Sequence, residues 1–386
     1  MPDDTQAVNA LSPVHDQPED SGRQPTSGIA LCMSGGGYRA MLFHLGTLWR
    51  LNELNYLPKL NCLSSVSGGS ITNGVLALHW KDLGFDANGF ALNFDQQVTQ
   101  PIRGMASQSI DLSSIMEGIF GGVSEQVAGH YNRYLFKNAK LHEIADAPRF
   151  VFNATSLQTG VLWRFTKRYM GDWKVGLINN PDVELATAVA ASSAFPPLLS
   201  PCVLKLDPNK FDPKIPPFPG VPIPDCRQRA VLADGGVYDN LGLETAWKDN
   251  KTVLVSNGGG SLNIDTDPKR DWLGQINRVL DIIYSQVVIL RTRSIVELYK
   301  LAVRNGSYWG IGSDITNYDL ADALVCPMSI TKKLAETPTR LAAVDATQQD
   351  QLIDWGYAIC DAGMRRWVLP GAPAPAQSPY GTFKKA

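Results

Sequence analysis

Gly28-Ile29-Ala30-Leu31-Cys32-Met33-Ser34-Gly35-Gly36-Gly37-Tyr38-Arg39 is the stretch on which the fold turns. Six short, mostly apolar residues read as a buried strand. Three glycines then allow a tight exit, and from Tyr38 to Leu54 the apolar positions Met41, Leu45 and Leu48, with Leu42 and Trp49 beside them, recur at helical spacing. The pattern repeats downstream. Leu60–Val66 is a second strand candidate, Ser67-Gly68-Gly69 a second glycine-rich exit, and Ser70–Trp80 a second helix. Further strand candidates are Phe150–Thr155, Ala230–Ala233 and Thr252–Val255. Short apolar strands alternating with helices predict an α/β layer fold with a mostly parallel sheet.

The rest of the chain bounds that domain. Residues 1–27 are rich in Pro, Asp, Glu, Gln and Ser and poor in aromatic and β-branched residues, so they are expected to form a flexible extension. The end, 369–386, with Pro370, Pro373 and Pro375 among small residues, is expected to be a second loose tail. Between them lies one domain, 28–368, with a motif-bearing core at about 30–245 and a helical part at 262–368. Seven prolines between Pro208 and Pro224 exclude regular helix from 203–230, which reads as a long surface loop.

Composition removes several function classes. Thirty-five basic against 37 acidic residues give a net charge of −2, which argues against a nucleic-acid binder. The six cysteines are scattered without a CxxC pair, so neither a zinc site nor a disulfide framework follows, and no metal or other cofactor is expected. No run of about 18 apolar residues exists to span a bilayer, and the acidic start Met1-Pro2-Asp3-Asp4 is unlike a secretory signal. The expected location is cytoplasmic.

Three segments can carry chemistry. Ser64-Ser65-Val66-Ser67-Gly68-Gly69-Ser70 places a serine between strand and helix among tiny residues, as a nucleophile elbow requires; Ser65 stands where the usual pattern has glycine, and an ordinary turn with Ser67 as a helix cap has the same sequence. The Gly35-Gly36-Gly37 loop can point consecutive N–H groups at an anion, which is either a phosphate or the oxyanion of acyl transfer. Ala40 breaks the dinucleotide fingerprint, and no Walker lysine is present. Arg39 would hold a phosphate or steady the oxyanion; a surface arginine paired with a carboxylate is the plainer reading. Ala233-Asp234-Gly235-Gly236 puts an acid at a strand end, as a catalytic position or a plain Asp-Gly turn. The histidines are His15, His44, His79, His130 and His142, none of them after Asp234. A triad running serine, acid, histidine along the chain is therefore unavailable.

Together these segments resemble the patatin-like phospholipases, the superfamily of patatin and cytosolic phospholipase A2. The loop Ser34–Met41, the serine 30 residues after Gly37, and Asp-Gly-Gly starting 167 residues after Ser67 stand in the family's order. Phe152–Gly160 and Ala191–Pro197 are similar to family stretches as well. The resemblance implies a three-layer α/β/α sandwich and a Ser–Asp dyad of Ser67 and Asp234. It implies an oxyanion loop of Gly35, Gly36 and Gly37, and the glycines of the elbow and acid loop at Gly68, Gly69, Gly235 and Gly236. Arg39 matches the arginine of the animal and fungal branch and would suit a phospholipid head group, and that branch also carries alanine at the position of Ala40. The implied activity is phospholipase A-type hydrolysis of acyl esters at a peripheral membrane surface. Alternatives on the same fold are a lysophospholipase or general carboxylesterase, a membrane-degrading effector gated by a small anionic activator such as a cyclic nucleotide, and an inactive anion-binding module. Residues 101–122, with Ile102, Met105, Ile110, Leu112, Ile115, Met116, Ile119 and Phe120, read as a core helix or an interfacial lid. Phe211 and Phe218 are candidates for an acyl pocket. Trp272–Arg304 reads as one or two helices with Arg278, Arg291, Arg293, Lys300 and Arg304 on a basic face, either simply solvated or a site for anionic lipid or an anionic regulator.

Overall fold

The computed structural model describes residues 25–110, 122–260, 262 and 264–385. Strand β1 runs Thr26–Met33, β2 Cys62–Ser65, β3 Arg149–Ser156, β9 Asn250–Asn257 and β10 Asn305–Gly310. They pair in parallel in the order β10-β9-β1-β2-β3. Beyond β3 the sheet turns antiparallel. Three four-residue strands, β4 Leu162–Phe165, β5 Tyr169–Asp172 and β6 Gly176–Asn179, extend it, and β3 also pairs with β8 Arg229–Asp234, which pairs with β7 Cys202–Lys205.

Alternation along β1 builds the three layers. Leu31 and Met33 enter the larger core, with α1 (Gly37–Glu53), α2 (Gly68–His79) and α5 (Ala346–Gly363). Ala30 and Cys32 point to the opposite face, where Val253, Val255 and Ile295 complete a smaller core under α4 (Trp272–Lys300). Helix α3 (Leu185–Ser192) packs beside α2. The outcome is the expected α/β/α sandwich, with its site at the carboxyl ends of β1 and β2, where α1 and α2 begin.

Several expectations about the periphery change. The first strand starts at Thr26, inside the expected extension, because Thr26 donates from its backbone N–H to Asp249 O (2.8 Å); residues 1–24 lie outside the described residues. The C-terminal end packs on the domain. Phe383 is buried against Trp355, and Asp354 accepts hydrogen bonds from Ser378 Oγ and the N–H groups of Tyr380 and Thr382. An acidic side chain buried on α5 thus fixes a segment whose composition reads as loose. Within 203–230, β7 ends at Lys205 and a six-residue helix forms at Ile223–Gln228. Pro224 sits in its first turn, where no backbone donor is needed. Phe211 bridges to Ile178 and Phe218 meets Trp173, so both lie against the antiparallel end of the sheet. Ile102, Met105 and Ile110 are core residues; Leu112, Ile115, Met116, Ile119 and Phe120 lie outside the described residues. The part expected to be helical, 262–368, also supplies β10. No helix among the described residues is long and apolar enough to cross a membrane.

Candidate active site

Ser67 follows β2 by two residues and immediately precedes α2, with φ 50° and ψ −119°. A non-glycine residue in that region is strained unless its surroundings hold it. Here the Ser67 N–H donates to both O and Oγ of Ser192 (3.1 and 3.0 Å). Ser192 Oγ is bonded to Ser70 Oγ (2.8 Å), and that hydroxyl to Ser65 Oγ (2.9 Å). Ser65, the residue that departs from the elbow pattern, is therefore the last residue of β2 with its side chain used in this buried network. Gly68 is required by space: a Cβ there would lie 2.1 Å from Gly37 O. The starts of α1 and α2 touch at this point, and Ser67 stands at the positive end of the α2 dipole.

Asp234 ends β8 opposite Ala154 of β3. Its N–H donates to Ala194 O (2.8 Å), and its carbonyl accepts from Thr155 Oγ1 (2.8 Å). Oδ1 accepts the Gly236 N–H (2.7 Å), whereas Oδ2 has no well-directed hydrogen bond among the described residues. The carboxyl is 2% exposed, and burial raises its pKa to about 7 against the opposing pull of the Gly236 N–H and the neighbouring Ser67 hydroxyl. At about 7 the group is half ionised near neutrality, which suits proton transfer in both directions.

The two stretches around 152–160 and 191–197 acquire a structural reason. Ser192 O accepts from the N–H groups of both Ser67 and Gly235 (3.1 and 3.4 Å), tying elbow to acid loop. Asn153 Nδ2 donates to Ser64 Oγ and Ser65 O (both 2.9 Å), and a Cβ on Gly235 would lie 2.4 Å from Asn153 O. Neither Asn153 nor Ser192 can be singled out from sequence, since each acts on residues about 90 or 125 positions away.

In the glycine loop the three residues divide. Gly35 donates its N–H to Asn240 O (3.1 Å), so it is spent, and its role is space: a Cβ would lie 3.1 Å from Ser67 Cβ. The N–H groups of Gly36, Gly37 and Gly68 have no acceptor among the described residues. Gly36 and Gly37 both have positive φ, 145° and 61°. Gly69 also keeps α2 close, since its Cβ would meet Met33 O at 2.5 Å.

Arg39 departs from both readings of it. It is 3% exposed and bonds to Gly258 O through Nε (3.1 Å), to Thr339 Oγ1 (3.0 Å) and to Thr337 O. Burial without a carboxylate lowers its pKa to about 10. Its donors fasten the glycine loop to segment 337–340, whose Arg340 O accepts the Tyr38 N–H (3.1 Å). The guanidinium is thus occupied, and no open head-group site is formed by it.

His44, His79 and His130 are engaged elsewhere. His44 Nε2 donates to Ser34 O and Nδ1 faces Ser256 Oγ, both at 2.9 Å; burial lowers its pKa to about 4, so the ring is neutral. His79 is partly exposed beside Asp82, and His130 stacks on Tyr134. No cluster of His, Cys, Asp or Glu with metal-binding geometry occurs among the described residues. The basic face expected on 272–304 is reorganised too: Arg291 turns inward to Asp239 (3.5 Å) and Glu244 (2.8 Å), and Arg304 bonds to Trp247 O (3.1 Å).

A family model for patatin-like phospholipase matches residues 31–247, more than half of the chain. No curated protein matches it. Among solved structures, human GIVD cytosolic phospholipase A2 in complex with methyl gamma-linolenyl fluorophosphonate is 12% identical with a TM-score of 0.48, covering 94% of this chain and 60% of that one. VipD from Legionella pneumophila is 15% identical with a TM-score of 0.33, covering 87% and 66%. The type III effector ExoU is 14% identical with a TM-score of 0.26, covering 68% and 52%. The chain spans less than two thirds of the phospholipase A2 chains it matches. Glycine loop, elbow and acid loop all fall inside the matched residues, and the chain belongs to the patatin-like phospholipase family.

Proposed function

We propose that the protein hydrolyses acyl esters of phospholipids, in phospholipase A fashion, with Ser67 as nucleophile and Asp234 as its base. The observation that supports this reading is the sharing of the Ser192 carbonyl by the N–H groups of Ser67 and Gly235 (3.1 and 3.4 Å), which ties the elbow to the loop of buried Asp234, near the N–H groups of Gly36, Gly37 and Gly68 that have no acceptor among the described residues. Ser67 Oγ attacks the ester carbonyl carbon while its proton passes to the carboxylate. The tetrahedral oxyanion accepts the free amide hydrogens, each worth ~2.7–4 kcal/mol of barrier in comparable sites. Collapse expels the lysophospholipid alkoxide, which takes the proton from Asp234. Water then attacks the acyl-enzyme, gives its proton to Asp234, and the acid leaves as Ser67 regains a proton.

The dyad needs no imidazole, in keeping with the engagement of His44 elsewhere. The enzyme is proposed to act in the cytoplasm on membrane lipid. Two measurements test the reading. A fluorophosphonate probe is expected to label Ser67 and to label nothing in Ser67→Ala. Mass spectrometry of mixed phospholipid vesicles is expected to show free fatty acid and lysophospholipid with wild type alone. Stable vesicles together with an unlabelled, folded Ser67 would overturn it.

A further inference from the structure

Helix α4 is 29 residues long, yet Ile295 is its only fully buried residue. Its inner side, with Val288, Val296, Leu298 and Tyr299, packs on the smaller core. At 100° per residue, Trp272, Ile276, Val279, Ile283 and Leu290 fall within an arc of about 60° on the opposite side. All five are exposed, from 39% for Ile276 to 75% for Trp272. A surface helix ordinarily turns its apolar stripe inward and its charges outward. This one carries a second apolar stripe facing solvent, and contiguous exposed apolar patches mark interaction sites.

We infer that this stripe docks the enzyme on the interfacial zone of a phospholipid bilayer, with the helix lying flat on the surface. Three observations select that occupant. Between Trp272 and Leu290 the stripe carries no charged side chain, and the first charge on that side is the acidic Glu297; the adjoining Lys269 and Arg270 are balanced by Asp265, Asp267 and Asp271, so attraction to anionic lipid is not what it is built for. It is a long, narrow strip of single side chains rather than the compact patch of ~800 Å² per partner of a stable protein interface, with a tryptophan at one end as interfacial helices have. Finally, α4 borders the catalytic site. Tyr284 packs its ring on Phe195 (centroids 5.7 Å apart), one residue after the Ala194 carbonyl that receives the Asp234 N–H. Phe195 and Leu198 are themselves exposed, so apolar surface runs from helix to site. The purpose of docking rests on the proposed lipid-ester reading; the docking itself does not.

The test uses the full chain and vesicles of diether phosphatidylcholine, which has no ester to cleave. Wild type is expected to float with the vesicles. The variant Trp272→Ser/Ile276→Ser/Val279→Ser/Ile283→Ser is expected to partition at least about tenfold more weakly, while its turnover of soluble p-nitrophenyl butyrate stays within about twofold. Raising salt tenfold should leave wild-type partitioning nearly unchanged. Equal partitioning of the two proteins would overturn the inference, as would a wild type that stays in the aqueous phase, meaning that something else covers the stripe. So would a lipid-free dimer that the variant abolishes, binding that salt removes, or a variant that also loses soluble-ester turnover. Absent labelling of Ser67 with intact vesicle binding would instead defeat the catalytic reading alone.

Discussion

Helices α1 and α4 lie on opposite faces of one sheet and are treated in opposite ways. Fifteen of the 17 residues of α1 are buried, including Arg39, His44 and Arg50. In α4 one residue of 29 is. Helix α1 begins at the glycine loop, so any looseness in it would move that loop against the start of α2; it is enclosed by α2, α5 and segment 337–340. Helix α4 only borders the site and is left with apolar side chains in water. Burial is concentrated at the glycine loop, where the proposed reaction stabilises charge, and exposed apolar surface on the helix proposed to meet the bilayer.

The contrast can be broken or sharpened by substitution. The largest effect is expected at the α1–α2 junction. In Gly68→Ala the new methyl would lie 2.1 Å from Gly37 O, both groups belonging to helix starts that cannot separate cheaply. Probe labelling of Ser67 should fall by about 100-fold or more, with stability lowered by about 3 kcal/mol in thermal melts. Arg39→Gln should cost less, about 2 kcal/mol, because loss of the bonds to Gly258, Thr337 and Thr339 is partly offset by no longer burying a charge. Its signature is local: hydrogen exchange at the Tyr38 N–H, whose acceptor is Arg340 O, should speed up at least about tenfold. The fourfold serine variant of α4 should change stability least, by about 0.5 kcal/mol or less, since it replaces only exposed side chains. If that variant unfolded while Arg39→Gln melted like wild type, the two helices would have been ranked the wrong way round.

The legible part of this molecule is the part whose interactions are local. Strand, glycine turn and helix follow one another in both β1–α1 and β2–α2, so periodicity and turn chemistry place them within a few residues. The antiparallel extension is illegible because β4, β5 and β6 have four residues each and, unlike the equally short β2, no helical pattern follows them to mark their ends. Arg39 was misread for a related reason: its partners lie 219 and 298 residues away, and no spacing rule reaches them. On α4 the apolar and basic residues are plain in the sequence, but the side that faces outward is decided by tertiary placement, which turns Arg291 in toward Asp239 and Glu244. The serine elbow was recognisable although Ser65 replaces a glycine. What the sequence conceals is that Ser192 holds elbow and acid loop together.

Asp234 lies at the centre of the account, and its ionisation separates the account from any other. With its pKa raised by burial, the native state retains a proton that the unfolded chain, near pKa 4, has lost. This group therefore destabilises the fold progressively from about pH 4 to about pH 7, and by a constant amount above. Asp234→Asn should thus melt higher than wild type at pH 8, with the difference vanishing toward pH 4. The most direct measurement is the rate of Ser67 phosphonylation by the fluorophosphonate probe as a function of pH. In wild type the rate should rise through a single ionisation near 7 and then level off, whereas in folded Asp234→Asn it should be lower by about three orders of magnitude with that ionisation absent. An unchanged rise near pH 7 in Asp234→Asn, or its disappearance in folded His44→Ala, would contradict the Ser67–Asp234 dyad.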